Sequence, residues 1–141
     1  MNGLSRLLRQ AIIFCLNSDY FWNKYKMNIL ENYLIELDFE DSDLFSLLSK
    51  FEKVVTFKKD EDIVRGLLKY KTISPNTAFL FKMSEEKVLI FHTVDMNFNI
   101  DIYFFNHTGK LVSKHKNLKP GIEKVSSRFP AMYAVETLSE G

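Results

Sequence analysis

The feature that most constrains the fold of this 141-residue chain is a run of four strand-like segments between residues 78 and 114. Each segment is apolar or alternates between apolar and polar residues, and the segments span residues 78–83, 88–94, 98–105 and 110–114. Short polar stretches connect them, and Gly109 in the last connection can adopt the positive φ of a tight turn. The pattern therefore predicts a four-stranded antiparallel meander, one face of which another layer must cover.

Amphipathic helices are predicted to supply that layer. Apolar residues recur at helical spacing in four segments of the preceding half, at residues 4–15, 20–37, 42–51 and 60–70. Ser42 is suited to begin the third helix, a short strand is expected at residues 54–57, and Pro75 ends the helical half. The predicted fold class is α+β, with a helical N-terminal half of about four helices packed on a four-stranded antiparallel meander.

The C-terminal part gives a weaker pattern. Residues 117–141 are predicted to form a basic linker followed by a short helix or strand. Pro130 is expected to interrupt this segment. The predicted organisation is a single domain over residues 1–141, mainly helical in 1–74, a meander in 75–116, and a linker with a C-terminal segment in 117–141.

Composition indicates an ordinary globular protein, because 46% of residues are hydrophobic and 26% are charged. The lone Cys15 excludes an internal disulfide. The apolar run at residues 11–16 is too short for a signal peptide or a membrane span. We therefore expect a cytoplasmic protein with no membrane segment. Its excess of lysine over arginine is typical of an AT-rich bacterial or phage genome.

No motif in the sequence predicts catalysis, a metal site or a cofactor. His107 and His115 lie on the order of 20 Å apart along the predicted hairpin, too far to share a metal. His92 lies in a predicted central strand. A histidine in such a position is more often a hydrogen-bonded structural residue than a general base. A small enzyme with a site near His92 is kept as the last alternative.

Charge is unevenly distributed along the chain. The stretch from residue 31 to residue 43 carries six acids and no base, and the acids considered for partner binding are Glu36, Asp38, Glu40, Asp41 and Asp43. A basic stretch follows the predicted meander, with Lys110, Lys114, Lys116, Lys119, Lys124 and Arg128 opposed by one acid. Both stretches are also compatible with solvated faces that bind nothing. If one binds a partner, opposite charge speeds and orients the association.

Alternation along residues 98–105 places Tyr103 and Phe105 on the face opposite the predicted helices. An exposed aromatic pair there is typical of a protein interface, unless the C-terminal segment covers it. The predicted function is a non-enzymatic protein-binding module, of the toxin-neutralising immunity protein or phage-encoded inhibitor kind. Its expected partner is a protein with a basic surface, for example a toxin or a host factor. The first alternative is a nucleic-acid-associated regulator that uses the basic stretch.

Overall fold

The computed structural model describes residues 42–140, which form a five-stranded mixed sheet and two short helices. In chain order the elements are α1 (Asp43–Leu48), β1 (Lys53–Phe57), α2 (Asp60–Arg65), β2 (Thr77–Phe91), β3 (Ile100–Phe105), β4 (Leu111–Leu118) and β5 (Val125–Leu138). The strand order across the sheet is β1-β2-β5-β3-β4. β1 pairs in parallel with β2, and the other pairs are antiparallel.

The predicted α+β fold, a helical half on a four-stranded meander, is therefore wrong. Residues 78–83 and 88–94 were expected to form a hairpin, but residues 78–83 and 88–91 belong to the single 15-residue strand β2, and residues 92–94 lie beyond its end. The polar residues between them form an irregularity in which the pairing advances from Lys82–Tyr133 to Lys87–Ala131. Five steps along β2 thus oppose two along β5, which is a bulge and not a turn.

The C-terminal segment provides the second correction. Residues 125–138 form β5, which lies between β2 and β3 in the middle of the sheet. Pro130 does not interrupt this strand, because it pairs opposite Val88 within the irregular part of the β2–β5 ladder. A missing backbone N–H is tolerated at such a position.

Helices are shorter than expected in the described part of the chain. The start of α1 at Ser42 is confirmed, because the Ser42 Oγ accepts a hydrogen bond from Phe45 N at 3.1 Å. The helix expected over residues 60–70 ends at Arg65, because Gly66 takes a φ of 54° and a ψ of −132°. The predicted helices at 4–15 and 20–37 lie outside the described residues. Neither α1 nor α2 is long and apolar enough to cross a bilayer.

The sheet has two apolar faces. On the α1 face, Leu44 and Leu48 of α1 pack against Phe105, Tyr133 and Val135 of the sheet. On the α2 face, a larger cluster combines strand residues with Leu67, Ile73 and Met96 from the connecting segments; its strand members include Phe57, Phe79, Phe81, Ile102, Phe104 and Ala134. Because successive side chains of a strand point to opposite faces, β5 contributes to both clusters.

We expect Gly109→Ala to destabilise the protein more than Gly121→Ala. Both glycines have a positive φ, 83° and 98°, so alanine at either costs about 1–2 kcal/mol of backbone strain. A Cβ at Gly109 would also lie 2.6 Å from the Cβ of Ser42, whereas a Cβ at Gly121 meets no atom within 4 Å. We expect the clash to add about 1–3 kcal/mol. Equal free energies of unfolding for the two variants would contradict the packing of α1 on this turn.

Candidate functional site

The one strongly perturbed carboxyl that is buried among residues 42–140 belongs to Glu136, near the C-terminal end of β5. Its backbone partners are Phe79 on β2 and Ile102 on β3, so its side chain shares the α2 face with them. Both neighbours are fully or almost fully buried, and Glu136 itself is 4% exposed. The carboxyl therefore lies among apolar side chains on the α2 face of the sheet.

No hydrogen bond or ion pair reaches the Glu136 carboxyl from any described residue. Its oxygens keep a small accessible area at the cavity, since the fully enclosed side-chain atom without a partner among residues 42–140 is Thr56 Oγ1. Burial raises the pKa of Glu136 to about 8, since removal from water disfavours the charged form. At neutral pH the group is thus mainly a neutral acid. It becomes an unpaired buried anion as the pH rises through 8. Both states are unusual, because buried polar groups in proteins are nearly always hydrogen-bonded.

Glu136 lines a cavity of about 30 Å³ on the α2 face, referred to below as the Glu136 cavity. Its other lining residues are Val64, Arg65, Gly66, Leu67, Leu68, His92 and Met96. Leu67 and Met96 are buried, whereas Val64, Arg65 and His92 are exposed. The cavity therefore extends from the protein surface to the buried carboxyl. Its volume is sufficient for one or two water-sized groups.

Two irregular segments form the walls of the Glu136 cavity. Gly66 ends α2 with its N–H donating to Asp62 O at 2.9 Å, in a conformation that only glycine adopts easily. On the other side, the Thr93 Oγ1 donates to Lys119 O at 2.7 Å and accepts from Ile122 N at 2.9 Å. These bonds hold the segment that carries Met96 against the β4–β5 connection.

His92 follows β2 and lies at the exposed end of the cavity. Its Nδ1 accepts a hydrogen bond from Val94 N–H at 3.2 Å, which assigns the ring proton to Nε2 in the neutral form. His92 therefore presents its Nε2 side near the cavity mouth. A metal would need three or four ligands, and residues 42–140 contain no group of three or more His, Cys, Asp or Glu that could hold one.

Most of the acidic residues selected from the sequence cannot be placed, because Glu36, Asp38, Glu40 and Asp41 lie outside the described residues. Asp43 is exposed in the first turn of α1. Its Oδ2 accepts a hydrogen bond from Leu111 N–H at 2.8 Å, which joins α1 to the start of β4. Asp43 therefore has a structural contact of its own.

The aromatic pair selected from the sequence faces α1. Phe105 is 1% exposed and belongs to the core cluster of the α1 face, so it offers no surface to a partner. Tyr103 is half-buried, and its hydroxyl accepts a hydrogen bond from Lys116 Nζ at 2.9 Å. That bond and an ion pair with the buried Asp101 at 2.9 Å raise the pKa of Lys116.

The six bases of the basic stretch are all exposed but are spread over three places. Lys110, Lys114 and Lys116 lie at or along β4, Lys119 and Lys124 lie in the β4–β5 connection, and Arg128 lies in β5 with a φ of 66°. The other two histidines have local partners. His107 Nδ1 lies 2.7 Å from a Glu86 oxygen, and His115 Nε2 lies 2.9 Å from Ser126 O. His107 lowers the pKa of Glu86, chiefly through the hydrogen bond from its backbone.

Glu136 is the residue that the sequence prediction missed. Glu136 follows Ala131–Val135, which was expected to be a short helix or strand at the end of the chain. If the segment had been assigned as a central strand, alternation would have placed Glu136 on one face with Ala134 and Leu138. A lone carboxyl between apolar residues on a buried face is the signal that identifies it.

These observations define a class of protein: a small mixed-sheet domain whose described residues include one buried, unpaired carboxyl at the end of a narrow cavity. Residues 49–140 match the DUF192 family, described as "Uncharacterized ACR". Since that match covers more than half of the chain, the protein belongs to the DUF192 family. No curated protein is significantly similar to it in sequence.

Two solved structures share the fold. One, from Sinorhizobium meliloti 1021, is described as a candidate transcription regulator; the TM-score is 0.58 at 22% identity, over 61% of this chain and 67% of that one. The other, a protein of unknown function from Novosphingobium aromaticivorans DSM 12444, gives a TM-score of 0.59 at 13% identity, over 62% and 64%. At these identities the likeness extends to the fold alone.

Proposed function

We propose that this protein is a non-enzymatic protein-binding module that takes one polar group of its partner into the Glu136 cavity. The observation that carries the proposal is the Glu136 carboxyl, which is buried, lacks a partner in the described residues and borders a cavity that opens at the surface. A strongly perturbed group in a cleft is a common sign of a functional site. The missing hydrogen bond is then supplied by the bound partner.

The size of the cavity favours binding of a protein over turnover of a small substrate. Cavities that enclose substrates or cofactors usually measure about 300–1,000 Å³. The Glu136 cavity, at about 30 Å³, admits only the end of a side chain or a terminus. The rest of the contact must form on the surrounding surface, where Val64 is 77% exposed. One residue inserted into a pocket at the centre of an interface typically dominates its affinity.

The partner we propose retains the basic character expected from the sequence, because Glu136 is an acid. Neither the family nor the two solved structures supports the immunity-protein or phage-inhibitor class, and that part of the expectation is withdrawn. The proposal keeps a cytoplasmic location. It does not depend on the acidic residues before Ser42.

Capture of partners from a lysate of the native host tests the proposed function. We expect Glu136→Gln to reduce the recovery of a specific protein at least tenfold, since removal of one buried charged partner costs about 2–5 kcal/mol. Glu123→Gln is the matched control, because Glu123 is exposed in the β4–β5 connection. Quantitative mass spectrometry measures the recovery. Equal recovery of every protein by the two variants would contradict the proposal.

A second candidate is a small enzyme, and it is supported by the presence of His92 and Glu136 in one cavity. A carboxyl with a pKa near 8 suits general acid–base catalysis at neutral pH. His92→Gln distinguishes the two functions. A binding module should retain its partner in this variant, because His92 lies at the exposed end of the cavity. Loss of a biological activity in folded His92→Gln, with the partner still bound, would favour the enzyme.

The nucleic-acid alternative rests on the six exposed bases of the basic stretch. Its test uses Lys114, Lys119 and Lys124, because Lys116 is already paired with Asp101. If DNA or RNA is the partner, replacing these three lysines with glutamine should reduce the slope of log affinity against log salt by about 0.7–0.9 for each lost contact. Under the proposed function, the three replacements leave partner capture through Glu136 intact.

A further inference from the structure

We propose that the group taken into the Glu136 cavity is a primary ammonium, that of a lysine side chain. This inference rests on the cavity used by the proposed function and adds the chemical class of its ligand. The chemistry of the carboxyl, the size of the cavity and the charged groups that surround it each favour an ammonium.

The carboxyl requires a donor. When ionised it accepts hydrogen bonds and donates none, and no N–H or O–H of the described chain reaches it. The nearby walls, formed by Leu67, Leu68 and Met96, are apolar. In such surroundings a charge-assisted hydrogen bond is stronger than in water. A cation with N–H donors therefore complements the site more fully than a neutral group does.

The cavity selects among cations by size. At about 30 Å³ it holds one or two water-sized groups. An ammonium is compact and comparable to a water molecule, and it sits on a flexible aliphatic stem that can follow apolar walls. A guanidinium is a planar group of four heavy atoms, and a quaternary ammonium has five. Both exceed the space next to the carboxyl.

The charged groups already present do not fill this role. Among residues 42–140, the titratable or charged residues that face the cavity with Glu136 are Arg65, at the end of α2, and His92, after β2. The neighbouring strands contribute the apolar Phe79 and Ile102. Arg65 is exposed and forms no ion pair with Glu136, which agrees with the exclusion of a guanidinium by size. The Nδ1 of His92 already accepts a hydrogen bond from the Val94 N–H, and the ring is exposed.

The proposed pairing has a defined dependence on pH. The ammonium binds the ionised carboxyl, whereas Glu136 is mainly protonated at pH 7 because burial raises its pKa to about 8. A primary amine with a pKa near 10.4 remains charged at pH 9. The affinity should therefore be about 10-fold higher at pH 9 than at pH 7. A ligand that accepts a hydrogen bond from the neutral acid, such as an amide carbonyl, gives the opposite trend.

The test is a titration of the full chain with n-butylammonium chloride, followed by backbone amide NMR at pH 7 and at pH 9. We expect saturable shifts at Gly66, Leu67 and Glu136, with a dissociation constant about 10-fold lower at pH 9. Matched titrations use n-butylguanidinium, tetramethylammonium and N-methylacetamide. Glu136→Gln should abolish the shifts, and Glu123→Gln should retain them.

A tethered cation provides an independent check if Glu136→Gln fails to fold. Val64 is 77% exposed at the cavity, so Val64→Lys places an ammonium at its entrance with little risk to the core. We expect Val64→Lys to compete with added butylammonium and Val64→Gln not to compete.

Three results overturn the inference: no saturable shift with butylammonium at pH 9, equal binding of butylguanidinium, or binding only of the amide. If these occur while capture of a protein still depends on Glu136, the ligand class is wrong but the proposed function stands. If butylammonium binds as expected and no protein is captured through Glu136, the proposed function fails and the ammonium site remains.

Discussion

Glu136→Gln should remove most of the pH dependence of folding stability between about pH 5 and pH 8. In the wild-type protein, the folded state keeps the Glu136 proton up to a pKa of about 8, whereas the unfolded state loses it near the ordinary value of 4.5. The folded state therefore binds more protons than the unfolded state in this window. Stability then falls as the pH rises from about 4.5 and levels off above 8.

The expected loss is large compared with the stability of a small domain. A shift of this size corresponds to at most about 5 kcal/mol at 1.36 kcal/mol for each pH unit, and domains of this kind have total stabilities of about 5–15 kcal/mol. Glutamine has nearly the same shape as glutamic acid but no charge to desolvate. The variant should therefore be more stable than wild type at pH 9, by several kcal/mol.

Urea unfolding at pH 5, 7 and 9 measures this difference. Glu123→Gln serves as the control for a carboxyl at an exposed position and should follow the wild-type curve. Parallel stability curves for wild type and Glu136→Gln would mean that the carboxyl ionises in water. The cavity would then not be the apolar environment described above.

Val135→Asp should unfold the protein, because Val135 lies in the middle of the sheet. It is fully buried, pairs with Leu80 on β2 and Tyr103 on β3, and belongs to the core cluster of the α1 face. Replacing it removes apolar packing worth about 2–4 kcal/mol and places a carboxylate among apolar side chains, which costs several kcal/mol more. The sum approaches or exceeds the stability of a typical domain.

Val88→Asp is the matched control. Val88 lies on β2 and is 47% exposed, so the same substitution there should cost about 1 kcal/mol. Circular dichroism and thermal unfolding compare the two variants. If residues 125–138 formed only a peripheral tail, both substitutions would be tolerated, and that result would contradict the strand order.

Local signals were sufficient to predict α1, β1 and the last hairpin. Ser42 caps the N-terminus of α1 with its side chain, and Gly109 provides a left-handed conformation in the turn before β4. Both features are determined by residues close in sequence. β2 could not be predicted in this way, because the polar residues between Lys82 and Lys87 resemble a turn until β5, some 45 residues later, pairs across them.

The site was missed for the same reason. The carboxyl of Glu136 is buried because β5 lies between β2 and β3 and because the segments that carry Gly66 and Met96 cover the α2 face. All of these contacts join residues far apart in the chain. Pro130 added to the error, because it suggested that the segment before Glu136 was broken. By contrast, His92 was selected from the sequence for its place among apolar residues, and it does line the cavity.

The pKa of Glu136, measured from the carboxyl carbon by NMR, tests both the burial of this carboxyl and its proposed ligand. The resonance can be assigned by its absence in Glu136→Gln, and the pH is varied from 4 to 10 with and without n-butylammonium. A buried carboxyl has its midpoint at about 8 in the free protein. We expect a lower midpoint with the amine, because a bound cation stabilises the ionised form. A midpoint near 4.5 in the free protein, unchanged by the amine, would contradict both the buried carboxyl and its proposed ligand.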